Sequence, residues 1–482
     1  MSAAAPAPSA DPRFENAAIA DMKRIFAAQQ RTALQWRTST AQERIARLNR
    51  LRDAVLAREG EIKQACAEDF GKPETEVDIG ELIPILAEIK STKAHLKRWM
   101  KGERVWPTAL MFGTKTRVRY EPKGVSLIIA PWNYPVNLSL MPLVSALAAG
   151  CTAILKPSEL TPATSKVTRE LIAATFDESE VAVVEGAVEE TTALLEMPFD
   201  HIFFTGSPAV GKIIMAAAAK NLTSVTLELG GKSPTIVDAS ADVERAAKGI
   251  MFGKFLNAGQ TCIAPDYVLV HEDIKDSFIK ACADHLKATY GEDATQSPDY
   301  CRIVNGRHYE RVSGLLAEAR AKGAVAACGG TTREDTQSIA PTILDSVPMD
   351  SRVMDEEIFG PLLPVVPYKD LNEAIAYING KPKPLALYVY ANDRRVVDKT
   401  IGETSAGGTC INTCTNQYLH MNAPFGGVNN SGIGNSHGKW GFKAFSHERT
   451  VVDNKFSASL LMAPPYTSFV KRLIHFIKLT LK

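Results

Sequence analysis

Apolar and polar positions follow two different periods along the chain. Residues 21 to 58 and 82 to 100 carry apolar side chains at three- and four-residue intervals among charged ones, which predicts amphipathic helices. Further along, short apolar runs of strand length alternate with helical segments. Strands and helices in alternation predict an α/β fold, with a parallel sheet covered by helices on both faces.

The alternating part falls into two consecutive runs, which predict two α/β domains. The first run has predicted strands at 126–130, 153–156, 181–185, 201–205, 224–229 and 235–237, with helices such as 138–149 and 164–174 between them. The second run has predicted helices at 243–256, 275–287, 309–322 and 371–379, and strands at 267–270, 341–344 and 363–367. The glycine-rich segment 426–438 is predicted to be a loop with several unusual backbone angles.

The segment KTRVRY, residues 115–120, alternates polar and apolar positions as a half-solvated strand does. Pro122, Lys123 and Gly124 follow as a turn and lead into the apolar run VSLIIA. We therefore predict a β-hairpin whose first strand lies at a sheet edge. The uncharged run 124–155 has the length of a membrane span, but its prolines and asparagines would leave backbone groups unsatisfied in lipid. A buried strand, a loop and a buried helix explain that run better.

Composition and charge narrow the class of protein. With 55 basic and 54 acidic residues, the 482-residue chain has no global field to attract nucleic acid or an anionic membrane. The eight cysteines are scattered without a C-x-x-C pair, which predicts reduced thiols in a cytosol and neither a disulfide framework nor a metal site. The start, MSAAAPAPSADP, lacks the features of a secretory signal, so residues 1–12 are predicted to be a disordered tail of a cytoplasmic protein.

The segment GSPAVGK, residues 206–212, raises a specific question. It follows an apolar strand and matches the G-x-x-x-x-G-K pattern of a phosphate-binding loop, but the next residue is Ile213, where magnesium binding needs Ser or Thr. The loop therefore belongs either to a nucleotide hydrolase with a damaged motif or to a site for a different phosphate.

Three residues are weak candidates for catalysis when each is taken alone. Cys262 lies in a polar, turn-prone loop after a helix, although a lone cysteine is more often a small buried hydrophobe. Glu228 lies within an apolar strand, where a carboxylate is either paired or kept for acid–base chemistry. Asn133 lies between two prolines that restrict the backbone, which suits a fixed amide donor.

These residues belong to seven blocks that resemble the aldehyde dehydrogenase superfamily over nearly the whole chain. In order, the blocks are PWNYP (131–135), LKPSE (155–159), FTGSPAVG (204–211), LELGGKSP (227–234), GQTCIAPDY (259–267), EEIFGP (356–361) and PFGGVNNSG (424–432). Seven blocks in family order are far more specific than any single motif. GQTCIAPDY and the short N-terminus are similar to the class-3-like branch, which includes fatty, benzaldehyde-type and coniferyl aldehyde dehydrogenases.

The resemblance implies roles for the three candidates. Cys262 would attack the aldehyde carbon as a thiolate. The side-chain amide of Asn133 and the backbone N–H of Cys262 would hold the oxyanion. After hydride transfer to nicotinamide, Glu228 would activate the water that hydrolyses the thioester to the carboxylic acid.

The resemblance also implies a cofactor site and resolves the loop at 206–212. The strand–GSxxxG–helix unit of this family holds the pyrophosphate of a dinucleotide, within a Rossmann-like domain that lacks G-x-G-x-x-G, so Ile213 is not a defect. Lys156 and Glu159 match positions that bind the adenosine ribose, although an exposed ion pair would also explain them. Glu159 favours NAD, with NADP as the alternative, because it would repel a 2′-phosphate. The other implied cofactor residues are Trp132, Gly206, Ser207, Gly211, Gly230, Glu357 and Phe359.

Substrate and assembly are implied less specifically. The substrate would be a hydrophobic aldehyde, aromatic or medium- to long-chain, with Tyr134 facing the substrate tunnel; a packed aromatic explains Tyr134 nearly as well. The segment 410–414 departs from the Val-Asn-Asp common in related enzymes and leaves the preference open. A homodimer is implied. The implied division is an NAD(P)-binding domain (13–113 and 131–230), a catalytic domain (231–425) and an oligomerisation arm (114–130 and 441–460).

Three other functions remain open at this point. A CoA-acylating enzyme would release the thioester to CoA and would not need Glu228. A binding or structural relative without catalysis would not need Cys262, Asn133 and Glu228 together. A P-loop nucleotide hydrolase would need the missing magnesium-binding hydroxyl.

The C-terminal residues 466–482 predict an amphipathic helix. Its apolar face consists of Phe469, Val470, Leu473, Ile474, Ile477 and Leu481, and its basic face of Lys471, His475, Lys478 and Lys482. The apolar face either docks on the protein, which is the expected default, or makes weak peripheral contact with a membrane. The segment is too short and too charged to span one.

Overall fold

The computed structural model describes residues 17–481 apart from 109, 110, 112, 455 and 457. The predicted tail, residues 1–12, lies outside the described residues. The α-helices are α1 Ala17–Trp36, α2 Ala41–Ala57, α3 Glu59–Phe70, α4 Glu74–Val77, α5 Ile83–Met100, α6 Asn137–Ala149, α7 Pro162–Thr175, α8 Val188–Leu195, α9 Pro208–Lys220, α10 Val243–Phe255, α11 Lys275–Tyr290, α12 Gly306–Ala321, α13 Arg352–Asp355, α14 Leu371–Asn379, α15 Arg394–Glu403, α16 Gly438–Ala444 and α17 Ser468–Thr480.

The strands alternate with these helices over most of the chain. They are β1 Glu103–Val105, β2 Thr114–Pro122, β3 Val125–Ile129, β4 Thr152–Lys156, β5 Val181–Val183, β6 His201–Gly206, β7 Ser224–Leu229, β8 Pro234–Val237, β9 Tyr267–His271, β10 Val325–Cys328, β11 Thr332–Arg333, β12 Ser338–Ile339, β13 Thr342–Asp345, β14 Leu362–Tyr368, β15 Ala386–Tyr390, β16 Gly408–Ile411, β17 Gly432–Ile433 and β18 Ser446–Asn454. A π-helical turn covers Asp78–Leu82, and 3-10 turns include Leu256–Gly259 and Ala458–Met462.

Two large sheets dominate the described part of the chain. The six-stranded sheet has the order β17-β7-β6-β3-β4-β5, and the seven-stranded sheet has the order β10-β13-β14-β9-β8-β15-β16. Their inner strands pair in parallel, and antiparallel pairing occurs only at the edge strands β17 and β10. Buried apolar side chains fill both faces of each sheet. The prediction of an α/β fold with covered parallel sheets is confirmed.

The predicted hairpin of 115–120 with the following apolar run is wrong. β2 lies between β1 and β18 in a separate antiparallel sheet, so it is not an edge strand, whereas β3 pairs with β4 and β6 in the six-stranded sheet. The burial of each strand explains the separation. β3 is buried at all five positions, as the middle of a covered parallel sheet requires, while β2 alternates exposed and half-buried positions from Lys115 to Arg119.

Most predicted elements lie within a few residues of observed ones. The predicted strand 224–229 and helix 371–379 coincide with β7 and α14. Residues 21 to 58 form two helices, because Thr40 caps α2 through a capping box with Glu43. The uncharged run 124–155 contains β3, a loop, α6 and β4, as predicted.

The C-terminal helix is present as α17 and contacts the turn Ala458–Met462. One stripe of α17 is turned inward: Val470 is buried, and Leu473, Ile474 and Ile477 are half-buried. The docking is partial, because four apolar side chains on the helix and at its end stay exposed: Phe469, Phe476, Leu479 and Leu481. Lys482 lies outside the described residues. Within the described ranges, no helix combines the length and apolar character that crossing a bilayer requires.

Candidate active site

Three cavities meet at Cys262, in the loop between the turn Leu256–Gly259 and β9. They are a polar cleft of about 230 Å³, an apolar cavity of about 120 Å³ and an inner cavity of about 40 Å³. Cys262 is the one described residue that lines all three, and Glu228 lines both the polar cleft and the inner cavity. The sulfur is therefore reachable from separate compartments.

The polar cleft gathers most of the predicted site residues. Its walls include nine of them: Trp132, Asn133, Gly206, Ser207, Glu228, Gly230, Cys262, Glu357 and Phe359. Four predicted residues do not line it: Tyr134, Lys156, Glu159 and Gly211. Two wall residues that the sequence did not single out are His308 and Arg311.

One end of the polar cleft is the start of helix α9. Ser207 is the N-cap of this helix, and its Oγ accepts a hydrogen bond from the N–H of Val210 at 3.3 Å. Helix N-termini present free N–H groups and favour anions such as phosphates. Gly211 does not line the cleft but allows close packing next to it. A Cβ at Gly211 would lie 2.8 Å from Cδ2 of Leu229, so glycine lets α9 pack closely against β7.

Glu357 lies in the same cleft beside Gly230. A Cβ on Gly230 would lie 2.4 Å from Oε1 of Glu357, so a larger residue would displace the carboxylate. Oε1 also accepts from the N–H of Gly231 at 3.0 Å. Burial raises the pKa of Glu357 to about 7. The helix N-terminus, the glycine and this acceptor carboxylate fit the phosphates and a ribose hydroxyl of a dinucleotide.

Two aromatic rings and a histidine form another part of the cleft wall. The ring of Trp132 packs edge-on against Phe359 at 5.3 Å and tilted against His308 at 4.8 Å, between centroids. Phe359 has a φ of 44°, which is rare for a bulky residue and typical of constrained functional segments. Arg311 fixes this segment by donating to the carbonyl oxygen of Glu357 at 3.2 Å and to that of Ile358 at 2.6 Å.

Lys156 and Glu159 lie at the end of β4, outside the three cavity walls. Lys156 is 2% exposed and its ammonium donates to the carbonyl of Pro157 at 2.8 Å. Glu159 is half-exposed, with Oε2 3.8 Å from Nζ of Lys156. Burial lowers the pKa of Lys156. The two side chains thus form an ion pair between a buried ammonium and an exposed carboxylate.

The environment of Cys262 keeps its thiol protonated. Burial, followed by the carboxylates of Glu357 and Glu228, raises the pKa of Cys262 to about 12. The preceding turn is constrained, since Asn257 and Ala258 have φ values of 55° and 50°. Attack by the sulfur therefore requires a proton acceptor, because the thiolate is the nucleophilic form.

Asn133 is held by a buried ion pair. Its backbone carbonyl accepts from the ammonium of Lys72 at 3.1 Å and from the amide of Asn257 at 3.0 Å. Lys72 is paired with Glu81 at 2.9 Å, and both side chains have no exposed surface. The other oxygen of Glu81 accepts from the N–H of Asn137 at 2.8 Å. The ion pair thus fixes the loop between β3 and α6 at Asn133, through Lys72, and at Asn137, through Glu81.

The side chain of Asn133 keeps one donor for a reactant. Its amide nitrogen donates to the carbonyl of Gln260 at 2.9 Å, close to Cys262 in sequence. A primary amide has two N–H donors, so the second remains for an oxygen in the polar cleft. Asn133 is 2% exposed, and a buried, oriented donor is the arrangement that stabilises an oxyanion.

Glu228 has one oxygen held and one unpaired. Oε1 accepts from the hydroxyl of Ser436 at 3.0 Å, and Oε2 is buried without a partner among the described residues. Burial raises the pKa of Glu228 to about 8, and the bond from Ser436 offsets part of this rise. A carboxylate that titrates near neutrality next to a thiol suits proton transfer.

The apolar cavity opens from Cys262 on the side of the π-helical turn Asp78–Leu82. Its apolar wall residues are Ile79, Pro84, Leu138, Phe252, Leu256, Ile263 and Leu419. Tyr134 lines this cavity, with its hydroxyl 3.0 Å from Oγ1 of Thr261. Thr415 and Asn416, which follow the divergent segment 410–414, line it as well. Cys410 and Cys414 themselves are buried in the core.

Several residues around the site lacked a sequence signal. Lys72 and Glu81 lie in a charged stretch of the sequence, and such a stretch is typical of a solvent-exposed helix face. His308 and Arg311 lie on α12 among other polar residues. His437 carries a weak signal: it falls in the segment predicted to have unusual backbone angles, and its φ is 70°.

The fold and site define an α/β enzyme with a cysteine, a carboxylate and an amide gathered at one cleft. The chain belongs to the aldehyde dehydrogenase family, whose model matches residues 11–451. Members of this family are oxidoreductases, and this protein is one that oxidises aldehydes.

Among its relatives are two named enzymes. It is 44% identical over 462 residues to a 4,4'-diaponeurosporen-aldehyde dehydrogenase of Staphylococcus aureus, covering 95% of this chain and 98% of that one. It is 46% identical over 416 residues to a dimeric NADP-preferring aldehyde dehydrogenase of Rattus norvegicus, covering 86% and 91%. The structure of the substrate-bound state of Staphylococcus aureus AldH matches with a TM-score of 0.90 and 43% identity, covering 95% and 99%.

Proposed function

We propose that this protein oxidises hydrophobic aldehydes to carboxylic acids with NAD, through a thiohemiacetal and a thioester on Cys262. The observation that carries the proposal is the position of Cys262 between the apolar cavity and the polar cleft. The aldehyde chain lies in the apolar cavity, and its carbonyl reaches the sulfur where Asn133 and Glu228 converge.

The chemistry of each residue follows from its surroundings. The thiol proton of Cys262 passes to solvent water as the sulfur adds to the carbonyl carbon, and the amide of Asn133 donates to the resulting oxyanion; one such donor typically contributes about 100- to 1,000-fold to the rate. The bound nicotinamide supplies the hydride acceptor. Glu228 then removes a proton from water, which attacks the thioester carbon and releases the sulfur. In the polar cleft, Glu357, Gly206, Ser207 and Gly230 would hold the cofactor.

The substrate class rests on the walls of the apolar cavity. Aliphatic and aromatic side chains surround a space of about 120 Å³, and burying such chains against them is favourable at about 25 cal/mol per Å². The Staphylococcus aureus relative is named for a long apolar aldehyde, which supports the same class.

The cofactor preference rests on Glu159. This half-exposed carboxylate stands beside the buried Lys156, and a carboxylate accepts a ribose 2′-hydroxyl but repels a 2′-phosphate. NADP is the alternative, and the rat relative is named NADP-preferring.

A CoA-acylating reaction is the second candidate. It requires no base for water, whereas Glu228 lies in the polar cleft with one unpaired oxygen. Hydrolysis is therefore favoured over transfer to CoA.

A direct assay tests the function. We expect formation of reduced dinucleotide from decanal, hexadecanal, benzaldehyde and coniferaldehyde, higher kcat/KM for these than for acetaldehyde, and higher kcat/KM with NAD than with NADP. Addition of CoA is expected to leave the rate unchanged. Reduced dinucleotide from none of these aldehydes contradicts the proposal, and dependence on CoA favours the second candidate.

A homodimer through the oligomerisation arm is part of the proposal. β18 is one of the two outer strands of the three-stranded sheet, and most of its nine residues are exposed. An exposed edge of this length is a template for pairing with another chain. The division into an NAD(P)-binding domain and a catalytic domain, and the cytoplasmic location, stay predictions; the six- and seven-stranded sheets support the division.

Weak peripheral membrane binding is proposed for α17. Exposed Phe469, Phe476, Leu479 and Leu481 accompany Lys471, Arg472 and Lys478 on a short helix. Each cationic residue near an anionic surface contributes about 1 kcal/mol.

We expect the full chain to float with anionic vesicles at low salt and to be released at high salt, because salt screens this attraction. A chain ending at Pro465 is expected not to float with the vesicles at either salt concentration. Equal flotation of the two chains, or none of either at low salt, contradicts the membrane role.

A further inference from the structure

Three side chains in the wall of the inner cavity each carry a buried polar atom without a hydrogen-bond partner among the described residues. These atoms are Oε2 of Glu88, Oε2 of Glu228 and Nδ1 of His437. The three side chains are 1%, 6% and 3% exposed. Buried polar atoms without a hydrogen-bond partner are rare in native proteins, so a partner for these three is expected.

Water is a partner that fits the size of this cavity. The cavity volume of about 40 Å³ accommodates one to a few water molecules, since one needs roughly 10–15 Å³ by this measure. A buried water typically makes about three hydrogen bonds, and the three atoms supply that number. Cys262 also lines this cavity, so water in it would lie beside the sulfur that carries the thioester in the proposed reaction.

Glu88 is placed to face this water. One oxygen, Oε1, is fixed by the N–H of Gly438 at 2.7 Å and by the hydroxyl of Thr92 at 3.3 Å. These bonds leave Oε2 as the free end of the carboxyl. Glu88 comes from α5, whereas Glu228 comes from β7, so two distant parts of the chain bring carboxyls to one cavity.

We propose that Glu88 is a second acid–base carboxyl of the active site, which takes up, through water in the inner cavity, the proton that Glu228 removes from the hydrolytic water. The proposal rests on the proposed hydrolysis of a thioester. One O–H bond of water breaks, its oxygen bonds to the thioester carbon, and the C–S bond breaks to release Cys262 as a thiolate. The abstracted proton passes from Glu228 to Glu88, and the acid product leaves. Glu88 thus acts through Glu228 as a positioning residue for the proton.

The titration behaviour of the cavity supports this transfer. Burial raises the pKa of Glu88 to about 7 and that of Glu228 to about 8, so a proton moves between them with little cost. The other titratable groups in the wall are Cys262, Tyr418 and His437. Burial raises the pKa values of the thiol and the phenol and lowers that of His437 to about 3, so all three are neutral near neutral pH.

The test is the Glu88→Gln variant, whose amide keeps the acceptor for Gly438. We expect an unchanged first burst of reduced dinucleotide, because acylation does not use Glu88. Steady-state turnover limited by deacylation is expected to fall about 10- to 100-fold, less than the loss of a direct general base. In the parent enzyme, the logarithm of this rate against pH approaches a slope of 2 on the acid side, since two carboxyls must be ionised; in Glu88→Gln it approaches 1.

Thr92→Val is the matched control, because it removes a hydrogen bond to Glu88 and keeps the carboxyl. It is expected to keep the slope of 2. Glu88→Asp also keeps a carboxyl, so a slope of 2 with a smaller rate loss is expected. A slope of 1 in the parent enzyme overturns the role of Glu88 whether or not Glu88→Gln folds.

The outcomes separate the two proposals. A parent enzyme that forms no reduced dinucleotide contradicts the proposed function itself. An active parent with normal turnover and a slope of 2 in Glu88→Gln overturns the role of Glu88. A Glu88→Gln variant that folds but loses the burst also overturns it, because the residue then supports acylation or structure and not deacylation.

Discussion

Replacement of Cys262 by alanine is expected to abolish aldehyde oxidation while leaving dinucleotide binding intact. The thiol forms the bond to the substrate, and removing a nucleophile costs on the order of a million-fold in kcat. The residues proposed to hold the cofactor in the polar cleft are different ones, namely Gly206, Ser207, Gly230 and Glu357. The measurements are reduced-dinucleotide formation and quenching of protein fluorescence by NAD.

Cys328→Ala provides the matched control. Cys328 is the other half-buried cysteine of the chain, on β10 and away from the three cavities. This variant is expected to oxidise aldehydes as the parent does. If Cys262→Ala retains more than a trace of turnover, Cys262 is not the nucleophile.

Replacement of Glu228 by glutamine is expected to separate the two halves of the reaction. One equivalent of reduced dinucleotide appears in a burst, and turnover then falls about 100- to 10,000-fold, because no base activates the hydrolytic water. The variant keeps the bond from Ser436, since glutamine also offers an acceptor oxygen. Mass spectrometry of the stalled protein is expected to show Cys262 carrying the acyl group.

In the parent enzyme, the rate of deacylation is expected to increase with pH. Glu228 must be ionised to act as a base, and its pKa is raised to about 8, so deacylation rises with pH through that value. Asp69→Asn is a control, because Asp69 is a carboxyl with a pKa raised by burial that lines none of the three cavities. Normal turnover in Glu228→Gln would assign deacylation to another base.

Local pattern was sufficient for most of the fold. The predicted strand 224–229 coincides with β7, because a run of strand-forming residues ends at a glycine pair. The pairing of β2 was not predictable in the same way. Its partners β1 and β18 are set by contacts far along the chain, and a turn at residues 122–124 looks the same whether or not the strands on each side pair.

Site residues within the seven family blocks were predictable from the sequence, and those outside the blocks were not. Asn133, Glu228 and Cys262 do converge on one cleft, as the resemblance implied. Glu88 and Lys72 lie outside every block, and a charged residue in an amphipathic segment is usually a solvated one. Their burial follows from tertiary packing, with α5 placing Glu88 against the first residue of α16. No periodicity in the sequence encodes that contact.

The meeting of three cavities at one sulfur has a kinetic consequence. Among the described residues, the apolar cavity and the polar cleft share only Cys262, so an aldehyde in the first and a dinucleotide in the second would reach it without passing one another. Crowding therefore imposes no order of arrival, and neither product obstructs the departure of the other. Any preferred sequence of binding and release must come from relative affinities. The apolar cavity and the polar cleft are thus two separate routes to the sulfur of Cys262.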